Sequence, residues 1–149
     1  MADKECIFCK IANGEIPSAT IYENSDFRVI LDVAPANRGH ALIIPKEHFK
    51  DIFDIDAVTA GKLFSLATEV ARAMKSVLHC DGMNIVQNNG IIAGQTVFHF
   101  HLHLIPRYEG DHVDLHWAQG ETVPTELQEL AKEFALKRIH YKKYSLKKQ

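Results

Sequence analysis

Three histidines alternate with apolar residues in the run His99-Phe100-His101-Leu102-His103. Side chains on an extended strand point to opposite faces in turn, so His99, His101 and His103 share one face while Phe98, Phe100, Leu102 and Leu104 share the other. Same-face neighbours lie roughly 6.5–7 Å apart, close enough for adjacent imidazoles to address one phosphate or one metal ion. Imidazole is also the side chain that attacks, donates or accepts a proton near neutral pH. A single histidine on a half-buried strand is ordinarily structural. Three in strict alternation mark one face for chemistry and the other for core.

Other residues add to this face. Asn88-Asn89-Gly90 and Ala93-Gly94-Gln95-Thr96 offer small residues that would expose backbone N–H groups, together with polar side chains able to hold phosphate oxygens. By itself a Gly-rich segment between strands is more often a plain turn. His40, after Gly39, adds a further imidazole or is a satisfied edge histidine. Cys6-x-x-Cys9 points to metal or redox chemistry before a structural disulfide, and Cys80 has no evident partner.

The elements that must position these residues follow from periodicity. Ile7 to Ile11 reads as a short helix closed by Asn13-Gly14, and Phe27–Leu31 and Ala41–Ile44 as two strands around the turn from Asp32 to Gly39. From Thr59 to His79, Leu63, Leu66, Ala67, Val70, Met74, Val77 and Leu78 recur at three- and four-residue steps, the stripe of an amphipathic helix. Asn84–Gln87 and Val97–Ile105 read as further strands. A last helix is expected from Thr125, with Thr125-x-x-Gln128 as a capping box and Leu127, Leu130, Ala131 and Phe134 as its apolar face. Few helices segregated from mainly antiparallel strands make an α+β domain.

With 149 residues, 46% hydrophobic and 24% charged, the chain is expected to form one soluble domain over 1–149, with its motifs in about 5–110. No apolar run approaches a membrane span, and the start lacks the apolar stretch of a signal peptide, so a cytoplasmic protein is expected, with no membrane partner. Lys137, Arg138, Lys142, Lys143, Lys147 and Lys148 form an acid-free basic tail over about 137–149. Such a tail contacts a polyanion or is a frayed, solvated terminus; nucleic acid is not expected as a partner.

Taken together, these motifs resemble the histidine-triad (HIT) family, and more closely its branch of histidine-triad nucleotide-binding proteins. The resemblance runs from Cys6-Ile7-Phe8-Cys9-Lys10 and Gly14-Glu15-Ile16-Pro17-Ser18, through Gly39-His40-Ala41-Leu42-Ile43-Ile44-Pro45-Lys46 with His48, to Asn88-Asn89-Gly90 and His99 to Arg107. It implies a HIT-like fold, a mainly antiparallel sheet with one long helix and a C-terminal helix, pairing as a homodimer into one continuous sheet. It implies a hydrolase or nucleotidyl transferase acting at the α-phosphate of purine nucleotide derivatives, such as nucleoside phosphoramidates and acyl-adenylates. The alternatives are a dinucleoside polyphosphate hydrolase and a zinc-stabilised interaction protein with little turnover.

Residue by residue, the resemblance makes His101 the nucleophile that forms a transient nucleotidyl-imidazole, and His103 the group that stabilises charge on the phosphate. His40 is the further histidine near the site. Thr96, a serine in many relatives, assists the leaving group through its hydroxyl. Asp32 accepts the ribose hydroxyls, Asn88 the phosphate side of the ligand, and Gly94 and Gln95 line the phosphate loop. Phe8, Ile30 and Val33 are expected as apolar walls. A phosphorylated imidazole is a high-energy intermediate that splits one displacement into two easier ones, and this chemistry needs no catalytic metal. Relatives also imply a structural zinc held by Cys6, Cys9, His48 and His99, which makes His99 a ligand and leaves His101 and His103 to the nucleotide. Phe64, off the main helical stripe, and His116-Trp117 are candidates for contact with a second subunit.

Overall fold

A computed structural model describes residues 2–141, so Lys142, Lys143, Lys147 and Lys148 of the basic tail lie outside the described residues. Contacts group the chain into two compact units, the first running to Val113 and the second beginning at Asp114. The first unit holds α1 (Ile7–Ala12), β1 (Thr20–Glu23), β2 (Phe27–Leu31), β3 (Ala41–Pro45), α2 (Ala57–Leu78), β4 (Gly82–Val86), a 3-10 turn at Ile91–Ala93 and β5 (Leu102–Arg107). The five strands form one antiparallel sheet in the order β1-β2-β3-β5-β4.

The alternation of each strand divides the apolar residues between two faces. Phe27, Val29, Ala41, Ile43, Phe100, Leu102 and Leu104 pack against Leu63, Ala67, Val70 and Met74, the buried stripe of α2. On the other face Ile30, Leu42 and Ile44 meet Ala12, Ile11 and Phe8 of α1. A fully buried aliphatic or aromatic side chain contributes about 1.5–3 kcal/mol, so the α2 face carries most of the stability of this unit. α2 starts where the Asp56 carboxylate accepts the Thr59 N–H at 2.8 Å.

Three expectations are corrected. The histidine run is not all strand: β5 begins at Leu102, and the β3–β5 ladder reaches only to Ile43 opposite Leu102. Before it the chain leaves the ladder, because the Phe100 N–H bonds the Phe49 carbonyl at 2.6 Å and the His99 ring bonds the Pro45 carbonyl at 2.8 Å. Phe100, Leu102 and Leu104 still face the core, but Phe98 is 40% exposed. In the second unit α3 spans Pro124–Leu136 with no side-chain cap, since Pro124, preorganised for the first helical position, displaces the expected Thr125 box. A strand not expected from the sequence, β1, pairs with β2. No helix among the described residues is long and apolar enough to cross a membrane.

Candidate functional site: a histidine cluster beside a metal-ligand set

Hydrogen-bond partners assign the ring tautomers along the histidine run. The Nδ1 of His101 lies 2.7 Å from the His99 carbonyl oxygen. A carbonyl only accepts, so Nδ1 carries the proton and Nε2 keeps its lone pair. Burial pushes the His101 pKa below the ordinary imidazole value, which holds that lone pair free at neutral pH. His40 is fixed in the opposite tautomer. Its Nδ1 accepts the Ala36 N–H at 2.9 Å, so Nε2–H donates to Nδ1 of His103, also at 2.9 Å. His103 must then carry its own proton on Nε2. Burial pushes His103 down to about 4 and lowers His40 as well, so both rings are neutral donors rather than cations. The His101 and His103 rings stand 4.8 Å apart, and Asp32 places a carboxylate oxygen 3.7 Å from His40 Nε2.

Asp32, His40 and His103 bring three ligand atoms close together. A cation on His40 Nε2 would have to displace the proton that the Ala36 bond requires there, so this trio is a hydrogen-bond relay.

The second cluster has the opposite character. His99 is fully buried, and its Nε2–H donates to the Pro45 carbonyl, turning a bare Nδ1 toward Cys6 Sγ at 3.4 Å, Cys9 Sγ at 3.4 Å and His48 Nδ1 at 3.2 Å. Cys9 Sγ stands 3.3 Å from His48 Nδ1. A zinc tetrahedron with bonds of about 2.0 Å to nitrogen and about 2.3 Å to sulfur has edges of about 3.3 Å between nitrogens and about 3.5 Å between nitrogen and sulfur. The four residues therefore fit a closed Cys2His2 set. The carbonyl that fixes His99 is the outer contact that orients a metal-bound imidazole. Burial pushes His99 to about 4 and raises the Cys9 thiol, which leaves His99 neutral for ligation.

Two halves of the chain are clamped around the cluster. The turn between β2 and β3 is closed by Asp32 N–H to the His40 carbonyl at 2.8 Å and His40 N–H to the Asn37 carbonyl at 3.1 Å. Asn37 Nδ2 then donates to the Pro106 carbonyl at 2.9 Å and to Asp111 at 2.8 Å, while Arg107 holds both Asp111 oxygens at 2.8 Å. The Arg107 guanidinium keeps the Asp111 carboxyl far below its ordinary range. Sequence reasoning missed Asn37, Arg107 and Asp111, whose partners are about 70 positions apart in part and carry no local pattern. Gly39 bends the end of the turn with φ +92° directly against Leu78.

The loop before the histidines is built differently from the expectation. The N–H groups of Ala93, Gly94 and Gln95 bond the Gly90 and Ile91 carbonyls within the turn, and the Gly90 N–H is taken by Gln95 Oε1. Gln95 points inward, donating to the Lys50 and Val97 carbonyls, so it braces the loop. Asn88 lies against Gly94, and Thr96 is exposed on a concavity of about 430 Å³ that it shares with Cys6, His48 and Phe98. Neither His101 nor His103 lines that concavity. Of the expected apolar walls, Phe8 meets the His101 ring edge-on at 4.8 Å, Ile30 is buried beneath it with Leu42, and Val33 is 96% exposed. Phe64 is 56% and Trp117 83% exposed, and the His116 ring bonds Asp114 at 2.8 Å.

Comparison with known proteins places this arrangement. Residues 13–110 match the HIT domain model. A crystal structure of a HIT family protein from Bacillus anthracis superposes with a TM-score of 0.86 at 41% identity, covering 91% of this chain and 99% of that one. The adenosine 5'-monophosphoramidase of Schizosaccharomyces pombe is 35% identical over 89% of this chain and 97% of its own length. A zinc-bound histidine triad family protein from Mycobacterium smegmatis superposes with a TM-score of 0.71 at 42% identity, covering 78% of this chain and 84% of that one. With the domain match spanning most of the folded unit and close relatives along nearly the whole chain, the protein belongs to the HIT family.

Proposed function

We propose that the protein is a nucleotide hydrolase or nucleotidyl transferase that attacks the α-phosphate of purine nucleotide derivatives, nucleoside phosphoramidates and acyl-adenylates in particular, through His101. The observation that carries this is the tautomer: the 2.7 Å bond from His101 Nδ1–H to the His99 carbonyl leaves Nε2 as an unprotonated nucleophile. Nε2 attacks phosphorus, the P–N or P–O bond to the leaving group breaks, and Thr96 or solvent supplies the leaving group with its proton. Water then attacks the nucleotidyl-imidazole and returns the nucleotide and a free His101. The His103 Nε2–H, aligned by His40, donates to a phosphoryl oxygen as charge grows there, a contribution of about 3 kcal/mol for a well-placed donor. Asp32 accepts the ribose hydroxyls and Asn88 faces the phosphate side, with Gly94 beside it and Gln95 as the internal brace. Relatives named as an adenosine 5'-monophosphoramidase and an adenylylsulfatase act on substrates of this class.

Cys6, Cys9, His48 and His99 would hold zinc as a structural ion, closing α1 onto the sheet; the zinc-bound relative supports this. A homodimer is the assembly this reading favours, since β4 is the last strand of the sheet among the described residues and Phe64 of α2 is exposed. Cytoplasmic residence fits the two thiols of the metal set. The deciding experiment replaces His101 with Ala. Hydrolysis of an adenosine phosphoramidate disappears while AMP binding survives, and the wild-type protein quenched during turnover in alkaline denaturant, where the P–N bond survives, carries an adenylyl group on His101. Unchanged turnover in the variant overturns the assignment, and so does AMP binding without any turnover in the wild type.

A further inference from the structure

The metal-ligand set and the nucleotide face are joined by two residues. His99 turns its ring to the cysteines and gives its backbone carbonyl to the nucleophile, so one residue is ligand on one side and orienter of His101 on the other. Phe8 sits between Cys6 and Cys9 on α1, with its ring edge-on to His101 at 4.8 Å and to His99 at 6.2 Å. α1 is six residues long, well below the length at which a helix holds its own shape in water. Its protein anchors are Cys9 and Ala12, with Phe8 and Ile11 laid on Ile30, Leu42 and Ile44. Half of the metal ligands, Cys9 and the N-cap Cys6, and one wall of the nucleophile are therefore carried by this short helix and its cap.

The geometry points to a reciprocal coupling between the two sites: a zinc ion on Cys6, Cys9, His48 and His99 and a purine nucleotide against His101 strengthen each other's binding, with Phe8 and His99 as the positioning residues. This rests on the nucleotide reading above. Without the ion, α1 keeps its apolar anchors, the Arg28 Nε–H bond to the Ala12 carbonyl at 3.1 Å and weak thiol–imidazole contacts, and conformers in which Phe8 has left His101 dilute the binding-competent state and weaken nucleotide affinity by that fraction. The ion pins Cys6 and Cys9 to His48 and His99 and restores the competent fraction. Linkage then requires the nucleotide to raise the affinity for the ion by the same factor, in the range of about 5- to 150-fold found for coupled sites.

The test uses the full chain, stripped of metal under reducing conditions and checked for folding by circular dichroism. AMP affinity is measured calorimetrically with and without one equivalent of zinc, and zinc affinity by competition with a chromophoric chelator, with and without saturating AMP. Matching gains in both directions are expected. Phe8→Leu, which keeps an apolar contact with Ile30 but loses the aromatic edge, reduces the shared factor toward one. If the stripped chain unfolds, the cobalt-loaded protein serves instead: its visible absorption bands shift on AMP saturation in the wild type and stay fixed in Phe8→Leu. Equal AMP affinity with and without zinc in folded protein, or cobalt bands that ignore saturating AMP, overturns the coupling alone. Absence of AMP binding in both metal states overturns the functional reading along with it.

Discussion

Replacing Gly39 with Ala perturbs the site without touching any group proposed to meet substrate. The residue has φ +92°, and a Cβ built there collides with Leu78 Cδ1 and stands 3.0 Å from Cδ2. Holding an L-residue in left-handed backbone costs about 1–2 kcal/mol. Forcing a methyl into the end of α2 adds about 1–3 kcal/mol, toward the low end because Leu78 is a terminal, half-buried side chain that can turn aside. The expected loss is about 2–4 kcal/mol, or roughly 10 °C in melting temperature for a chain of this size. Urea denaturation and calorimetry read it directly. The two parts separate in a double-mutant cycle with Leu78→Ala, where the steric part cancels as a favourable coupling of about 1–2 kcal/mol and the backbone part remains. Hydrolysis falls too, since His40 follows Gly39 directly and its N–H is held by Asn37. A Gly39→Ala protein within about 0.5 kcal/mol of wild type, the ordinary range for a neutral surface change, refutes the reasoning.

Acid should destabilise the protein through its neutral rings. The unfolded chain protonates His103 near 6.5 while the folded chain resists to about 4, so the stability is whole above about pH 6.5 and erodes as pH falls toward 4, by at most about 1.4 kcal/mol per unit. The urea midpoint of His103→Gln should fall less steeply between pH 7 and 5 than that of wild type; parallel slopes refute this. Chelation should lower the melting temperature, because binding free energy at a structural ion site is folding free energy. Cys9→Ala should melt at one temperature with or without the chelator. Asn37→Ala removes the bonds to Pro106 and Asp111 and should cost about 1–2 kcal/mol, raising KM more than it lowers kcat. A variant whose KM is unchanged would release Asn37 from any part in shaping the site.

What could be read from the sequence divides along physical lines. The α2 stripe was legible because a 3.6-residue period repeats over six turns, and the histidine face because polar residues alternate against Phe100, Leu102 and Leu104. The metal set was reachable only by resemblance, since its members come from three separate segments. β1 escaped notice because all four of its residues are exposed, leaving an edge strand without an apolar alternation. The loop at Gly90–Gln95 misled for a related reason: Gly and Asn reveal that a turn exists but not which way its N–H groups face, and here they close on the turn itself. The Phe49–Phe100 bond that peels the histidines off the ladder, and the tie from Asn37 to Pro106, are long-range pairings without a local signature.

The clamp on the β2–β3 turn bears on how a ligand is received. Asp32 and His40 sit at the ends of a segment that Asn37, Arg107 and Asp111 have already made rigid. Its ordering entropy is lost when the chain folds, so if Asp32 accepts the ribose hydroxyls as proposed, that part of the binding cost is already met. On the same reading the turn would have little freedom to reshape around a sugar that lacks one hydroxyl, and a deoxyribose analogue is expected to bind more weakly than its ribose counterpart.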